Sequence, residues 1–583
     1  MFQKKQFLLL IATFTITVIF AQEREQDTLN SDVINVIKPY APTISDAFKV
    51  KEIPTLDDVE TAIKKEVNYN IFSFPVASTF TPAKGKAAVV DKAKKVKLFD
   101  NYASLAVGTY TTILGEAYIN HEIGRGQNLI AEINHHSSGG GIDDLLTDDD
   151  FLDSKIDLTW IEQGKGFDWS LIGGFGIQSY NWYGIEQSIF TQIDADVLDV
   201  KHNFTDAHIS GALNFDDGIF KNADLLFRRF GDNQGSVENR FKLSGAVDIP
   251  VKDETVSTVV SLDYLSGNFD RNYFTDTEIN FGNIQLSVAP TYQLKKDDLT
   301  VNLGVTLTYL NDTEASKSSF FIYPNISASY RIVDEVIIAF GGVKGGLIQN
   351  SYFDFATENP FVSPTLFIAP TDQQYNVYAG LNGKLSNTIG YSVSGSYISE
   401  KGKALFQNNL VPYGFDNNES YHYGNSFGIT YDDVTTLSAT GALNVDINRN
   451  FTLGIKGEYF VYNTKNEAEA WNLPDFKGSL FMDYQINEHW FAGANLFFVG
   501  ARKDIAGFNV IENPSVPTFL NPTRVITLDS YFDANAHVGY HVNDRISVFV
   551  KGNNLVGENY TKWQNTPVQG IQFLAGATYK FDF

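Results

Sequence analysis

The chain of 583 residues contains no cysteine. That excludes disulfides, thiolate metal sites, a cysteine nucleophile and lipid attachment through sulfur. It also lacks any surplus of positive charge. Lys and Arg number 44 against 69 Asp and Glu, giving a net charge of −25 and a pI near 4.7. No basic field exists to meet phosphates, so nucleic acid is excluded as a partner. The acidity is spread along the chain, as expected of solvated loops and a wet lumen rather than of an acidic tail. Beyond the first residues no apolar run is long enough to span a bilayer as a helix. No glycine-rich phosphate loop opens a helix and no zinc spacing occurs, so neither a cofactor nor a metal ligand set is expected.

What is abundant is aromatic and alternating. Phe, Tyr and Trp make up 14% of residues, and charged residues 19% at a mean hydropathy of −0.15. Those values are too polar for a helical membrane protein and suit a barrel in which alternate residues meet lipid. Residues 1–21 read as a secretory signal: Lys4 and Lys5 form the positive region, 7–20 the apolar run, and Ala21 and Gln22 flank the expected cleavage point. Residues 22–101 differ in character, with Pro39, Pro42, Pro54, Pro75 and Pro82, a Lys-rich run, and a short helix expected over 57–67. They read as a periplasmic extension and a candidate lumen-occluding segment.

From Tyr102 onward a period of two dominates. Over 155–161, Ile156, Leu158 and Trp160 share one face against Lys155, Asp157 and Thr159. Over 570–583, Ile571, Phe573, Ala575, Ala577, Tyr579, Phe581 and Phe583 oppose a polar or small face. A polar residue at every second position is wasteful in a dry core but suits lipid outside and water inside. Tight connections (124–126, 163–166, 216–220, 251–254, 295–298, 333–335, 386–388, 448–450, 487–489, 543–544) alternate with mostly longer ones (137–150, 182–199, 231–236, 267–278, 311–317, 350–371, 401–435, 465–474, 503–527, 556–569). With a tight first connection at 111–112, this predicts an all-β fold: a transmembrane antiparallel barrel of about 22 strands over 102–583, short turns facing the periplasm.

The run 526–583 resembles the C-terminal end of TonB-dependent receptors. The resemblance is carried by Thr527-Leu528-Asp529, Val538-Gly539-Tyr540, the turn Asn543-Asp544, Ile546 to Val550, Asn553-Asn554-Leu555, Glu558-Asn559-Tyr560, and the ending Gly576-Ala577-Thr578-Tyr579-Lys580-Phe581. Residues 473–502 are similar to a penultimate portion of the same barrels. The resemblance implies the outer membrane of a Gram-negative envelope, a lipid and lipopolysaccharide environment, and capture or uptake of a scarce nutrient. Tyr579, Phe581 and Phe583 resemble the signal read by the barrel-assembly machinery. The family's N-terminal plug is not recognisable in residues 22–101, and 32–37 (DVINVI) is a weak counterpart of its energy-coupling box.

Candidate chemistry is sparse. His135-His136-Ser137-Ser138 before three glycines is the most enzyme-like run, but neighbouring strand residues point to opposite faces, and a strand end is expected rather than catalysis. Asp143, Asp144, Asp148, Asp149, Asp150 and Asp153 gather in one outer loop without Ca²⁺-loop spacing, so a solvated rim is expected. Arg228, Arg229 and Arg240 are placed near a barrel mouth, paired with carboxylates. Asn408, Asn409, Asn417, Asn418 and the Tyr-rich run 413–431 offer amide and aromatic groups of the kind that contact glycans or peptides. The expected function is a non-enzymatic barrel moving or capturing a solute. The alternative is a structural barrel scaffolding an outer-membrane complex, with an envelope or surface lipoprotein as partner.

Overall fold

The computed structural model describes residues 98–252, 254–413, 419–448, 450–510 and 523–583. The expected signal segment, the run 32–37, the helix at 57–67 and nearly all of the extension lie outside the described residues. The described residues form one closed sheet of 22 antiparallel strands, each paired with the next barrel strand in sequence, as the alternation predicts, and two small sheets of three and two strands in the outer loops. The first strand (Asn101–Gly108) closes the ring on the last (Gln572–Phe581), with Tyr102 opposite Lys580 and Ala106 opposite Gly576. Within the lipid belt, closure satisfies every ladder and leaves no sheet edge, which is the condition for spanning lipid with strands.

The two faces separate as the period of two requires. Ile156, Leu158 and Trp160 on one strand and Leu171, Phe175 and Ile177 on the next all project outward and exposed. Phe573 and Tyr579 do the same on the last strand. Such a continuous apolar belt is a lipid contact surface. The polar set faces the lumen, where charges pair. Lys155 meets Asp157 at 2.8 Å, and His208 lies 3.1 Å from Asp206 and 3.4 Å from Asp157.

Inside, a recurrent device joins strands: an aromatic ring lies flat over a glycine directly opposite it. Phe481 covers Gly454, Phe491 covers Gly539, and Phe549 covers Gly576. A side chain at any of these glycines would enter the ring, so their absence of Cβ lets bulky rings hug the wall.

All turns at the end shared by Asn101 and Phe581 are short, and the long loops lie at the opposite, outer end. Two outer connections are tighter than the sequence suggests, because the strands run on into them. Only 233–236 and 313–316 remain outside strands. The longest expected loop, 401–435, likewise shrinks to 409–426, since the flanking strands Ile389–Asn408 and Phe427–Asn448 extend beyond the belt.

Candidate functional site

The outer loops fold inward and share a buried core. Trp182 and Val200 come from the loop after the fifth strand. Tyr352, Phe355, Phe361, Val362 and Leu366 come from the loop after the thirteenth, Tyr421 from a third loop and Trp563 from the last. They pack on lumen-facing Phe204, Phe230, Phe269 and Phe406. Tyr352 touches Phe230 at a ring distance of 5.2 Å, although its loop joins strands six and seven positions along the wall from the strand of Phe230. Contacts of this span cross the lumen. Trp563 meets Phe406 and Phe427 at 5.1 and 5.4 Å, drawing the last loop into the same core.

A polar latch seats this core on the wall. The loop after the thirteenth strand forms a helix, Tyr352–Glu358, capped by the Ser351 side chain, which accepts from Asp354 N–H at 3.1 Å. Fully buried Glu238 accepts from the backbone N–H groups of Tyr352 and Phe353 at 2.5 and 3.4 Å. The Tyr352 hydroxyl donates to Asp232 at 2.6 Å, and His202 lies 3.2 Å from the same carboxylate. Burial first, then the Asp232 charge, pushes the Tyr352 hydroxyl well above the ordinary tyrosine range, so it stays a donor. Arg240 reaches Asp263 at 2.7 Å and Asp354 at 3.4 Å, while Arg228 pairs with Asp206 and lies 3.8 Å above the Phe353 ring. Arg228 and Arg240 are therefore paired in the lumen, as expected. Arg229 projects outward instead and bonds Asn239 at 3.0 Å.

Other loops are pinned similarly. Arg271 bonds Glu419, and His422 Nδ1 accepts from Glu419 N–H at 3.0 Å. Burial, reinforced by Arg271, lowers His422 to about 4, which keeps its ring neutral. Asp504, fully buried, accepts from Asn408 N–H at 2.9 Å and Asn472 at 2.8 Å. Burial raises its carboxyl to about 6. It fixes the strand pair Arg502–Val510 and Thr523–Leu528 against the rim.

Two cavities adjoin the loop core. One of about 220 Å³ runs along the wall by Lys155, Asp206, Arg228 and Phe353. The other, about 380 Å³, lies at the outer end of the wall beside the start of the last strand, lined by Asp149, Asn181, Asp533, Asn554, Tyr560 and Gln572 among others.

The sequence candidates resolve as follows. His135 and Ser137, two apart, share a face: His135 lies 3.0 Å from Ser137 Oγ and 2.7 Å from Ser154 Oγ. The adjacent His136 and Ser137 do point to opposite faces; the residues that meet are two apart. The face is the outward one of Leu129 and Ile133, where these groups satisfy one another at the outer rim, away from the lumen cavities. His136 faces inward and stacks edge-on with Phe151 at 5.0 Å. Asp149 accepts from Gly141 and Ile142 N–H, Asp150 from Asn181 and Lys201, and Asp153 from Gln178. The acidic loop is thus internally bonded, and among the described residues no group of three potential metal ligands occurs. Asn408 is buried and structural, Asn409 bonds Ser426, and Asn417 and Asn418 lie outside the described residues. The amide and aromatic surface lies instead around this second cavity, assembled from strands and loops too far apart in sequence to be seen together.

No family model matches the chain, and no curated protein matches its sequence. Solved structures do match its fold. The ferric-catecholate import receptor Fiu from E. coli K12 aligns over 83% of this chain and 82% of its own, with a TM-score of 0.58 at 11% identity. The siderophore receptor PirA from Acinetobacter baumannii aligns over 84% and 81%, with a TM-score of 0.60 at 13% identity. The copper transporter OprC aligns over 82% and 80%, with a TM-score of 0.56 at 13% identity. In fold, the chain is a 22-stranded outer-membrane β-barrel of the TonB-dependent-receptor kind.

Proposed function

We propose that the barrel captures or moves a solute at the cell envelope and that its inward-folded outer loops form the gate. The observation that carries this reading is the latch. A barrel of this width needs an obstruction, and here a cap crossing the lumen is held to the wall by ion pairs and hydrogen bonds around Tyr352, over cavities open to polar ligands. A cap fixed by apolar packing alone would have no such reversible catch. The chain carries out no catalysis. The likeness to receptors named for ferric-catecholate import and to a copper transporter supports solute handling as a class. Residues 1–21 serve as the export signal, cleaved between Ala21 and Gln22, and 22–101 as a periplasmic segment that adds to lumen closure. Tyr579, Phe581 and Phe583 present the terminal strand to the assembly machinery. Lipid and lipopolysaccharide cover the belt, and a surface lipoprotein is the partner for the loop face.

Conductance across planar bilayers tests the gate. Replacing 350–370 with a short Gly/Ser linker is expected to turn a quiet barrel into one with large, ohmic steps. Silence in both forms, with fixed envelope partners co-purifying, would instead support a non-transporting scaffold.

A further inference from the structure

We propose that the outer end of the twelfth strand is a docking edge for an extended segment of a second polypeptide at the cell surface. The wall has no edge within the lipid belt, but one opens above it. The twelfth strand, Lys317–Val333, pairs with the eleventh along its whole upper length, up to Lys317 opposite Asp312. Its pairing with the thirteenth, Ile337–Ile348, starts only at Asn325 opposite Lys344. Two residues part the strands. Pro324 has no N–H to give to the ladder. Across from it, the thirteenth strand takes a bulge at Gly345 and carries on with the fourteenth alone, Gly346 opposite Gln373.

The free groups can be named. Successive residues of a strand turn their main-chain groups to opposite neighbours. Arg331 N–H donates to Asp298 O beside the eleventh strand, and the pairing with that strand runs without a register shift from Tyr330 to Lys317. Odd-numbered residues therefore serve the eleventh strand. Ser318, Phe320 and Ile322 face the other way, where among the described residues no main chain meets them. Phe320 and Ile322 also project outward, 62% and 67% exposed against 41% for Ile326 lower on the same face. Tyr330 lies about 25 Å below Phe320 at a barrel's usual tilt, the height of a lipid belt between its aromatic girdles. The open edge is thus level with the outer girdle.

The chemistry of this edge selects its occupant. Ser318 to Tyr323 is an uncharged run rich in strand formers, with proline only after its end. Bare edges of this composition recruit strands, and native proteins guard them with charge or cover them. Here Lys317 alone guards the tip. Donors and acceptors at ladder spacing are matched by main chain, whereas acyl chains offer neither. A second copy fits poorly. Two barrels side by side in one membrane are related by an axis along its normal, so their tilted edges cross instead of running antiparallel. What fits is an extended segment with apolar residues at alternate positions, which continue the outward row of Phe320 and Ile322. The inference does not depend on solute movement.

Hydrogen exchange at the amides of Ser318 and Phe320 tests it, with the full chain in three settings: purified in detergent, reconstituted with phospholipid and lipopolysaccharide, and left in native outer membranes. Exchange is expected to be fast in the first two and slowed roughly tenfold or more in the third. Ile322→Pro removes an edge N–H and keeps the ladder to the eleventh strand, and it should abolish the slowing. Ile322→Lys, which adds a guarding charge, serves should the proline variant fail to fold, and retained heat-modifiable mobility on gels certifies each barrel. Slow exchange already in detergent would show the chain covering its own edge, and slow exchange gained on reconstitution would assign the edge to lipid. Either result overturns the inference, as do fast exchange in native membranes and slow exchange there that ignores both substitutions. A disulfide-linked homodimer of Phe320→Cys, the only thiol in the chain, would give the edge to a second copy and overturn it too.

Discussion

Single residues set how the wall and the cap are tuned. The ring of Phe491 lies over Gly539 because that glycine has no side chain. Gly539→Val forces the ring off the wall and is expected to cost about 1–3 kcal/mol, as overpacking does, read as a lower temperature for the gel-mobility shift that marks barrel unfolding. His422 tunes the cap. Its folded value of about 4 lies below the free value of ~6.5, so the unfolded loop binds the proton more tightly and stability is lost as pH falls from about 6.5 towards 4. By pH 5 the loss amounts to about 2 kcal/mol by linkage. Asp504, raised to about 6, acts in the opposite sense over much of the same window, its contribution weakening as pH rises from about 4 to 6. Local hydrogen-exchange protection at 419–427, taken relative to the intrinsic exchange rate at each pH, therefore separates the two: it should fall between pH 7 and 5, and His422→Gln should abolish the change. The outward and inward sets of each strand were legible in the sequence, because a period of two is local. The Phe491–Gly539 match was not, since it depends on which strands become neighbours and in what register.

Among the elements, the helix Tyr352–Glu358 holds the cap in place. Its first N–H groups have no partners within the helix, and buried Glu238 supplies one. Glu238→Ala leaves those donors unsatisfied and is expected to cost about 1–3 kcal/mol locally. The measurement is bilayer current: opening events should become frequent at fixed voltage, and Tyr352→Phe, which frees Asp232 from the hydroxyl, should act in the same direction. A variant as quiet as the parent would remove the latch from the gate. The sequence placed its one expected helix at 57–67, outside the described residues, and left 350–371 as loop. One short helix in a polar-aromatic stretch has no periodic signature. What stabilises it is Glu238, Asp232 and Arg240, which belong to other strands more than a hundred residues away.

For the whole molecule, strand number, closure and the end bearing long loops were all legible, because each follows from counting alternating segments and their connections. How the outer mouth is filled was not, because its core draws residues from several loops that are far apart in sequence. Trp563 is one such residue. Trp563→Ala is expected to cost about 3–5 kcal/mol of cap stability, seen as increased protease cleavage in 350–370 while the gel-mobility shift of the wall is unchanged. Its position has a further consequence. Trp563 lies in the connection between the last two strands, and the last strand is the one that zips against Asn101–Gly108. The cap therefore cannot be finished until the final hairpin is in place. A nascent wall still open along one side keeps its mouth unsealed, and only a completed ring receives its lid. Completion of the lid is thereby coupled to closure of the ring.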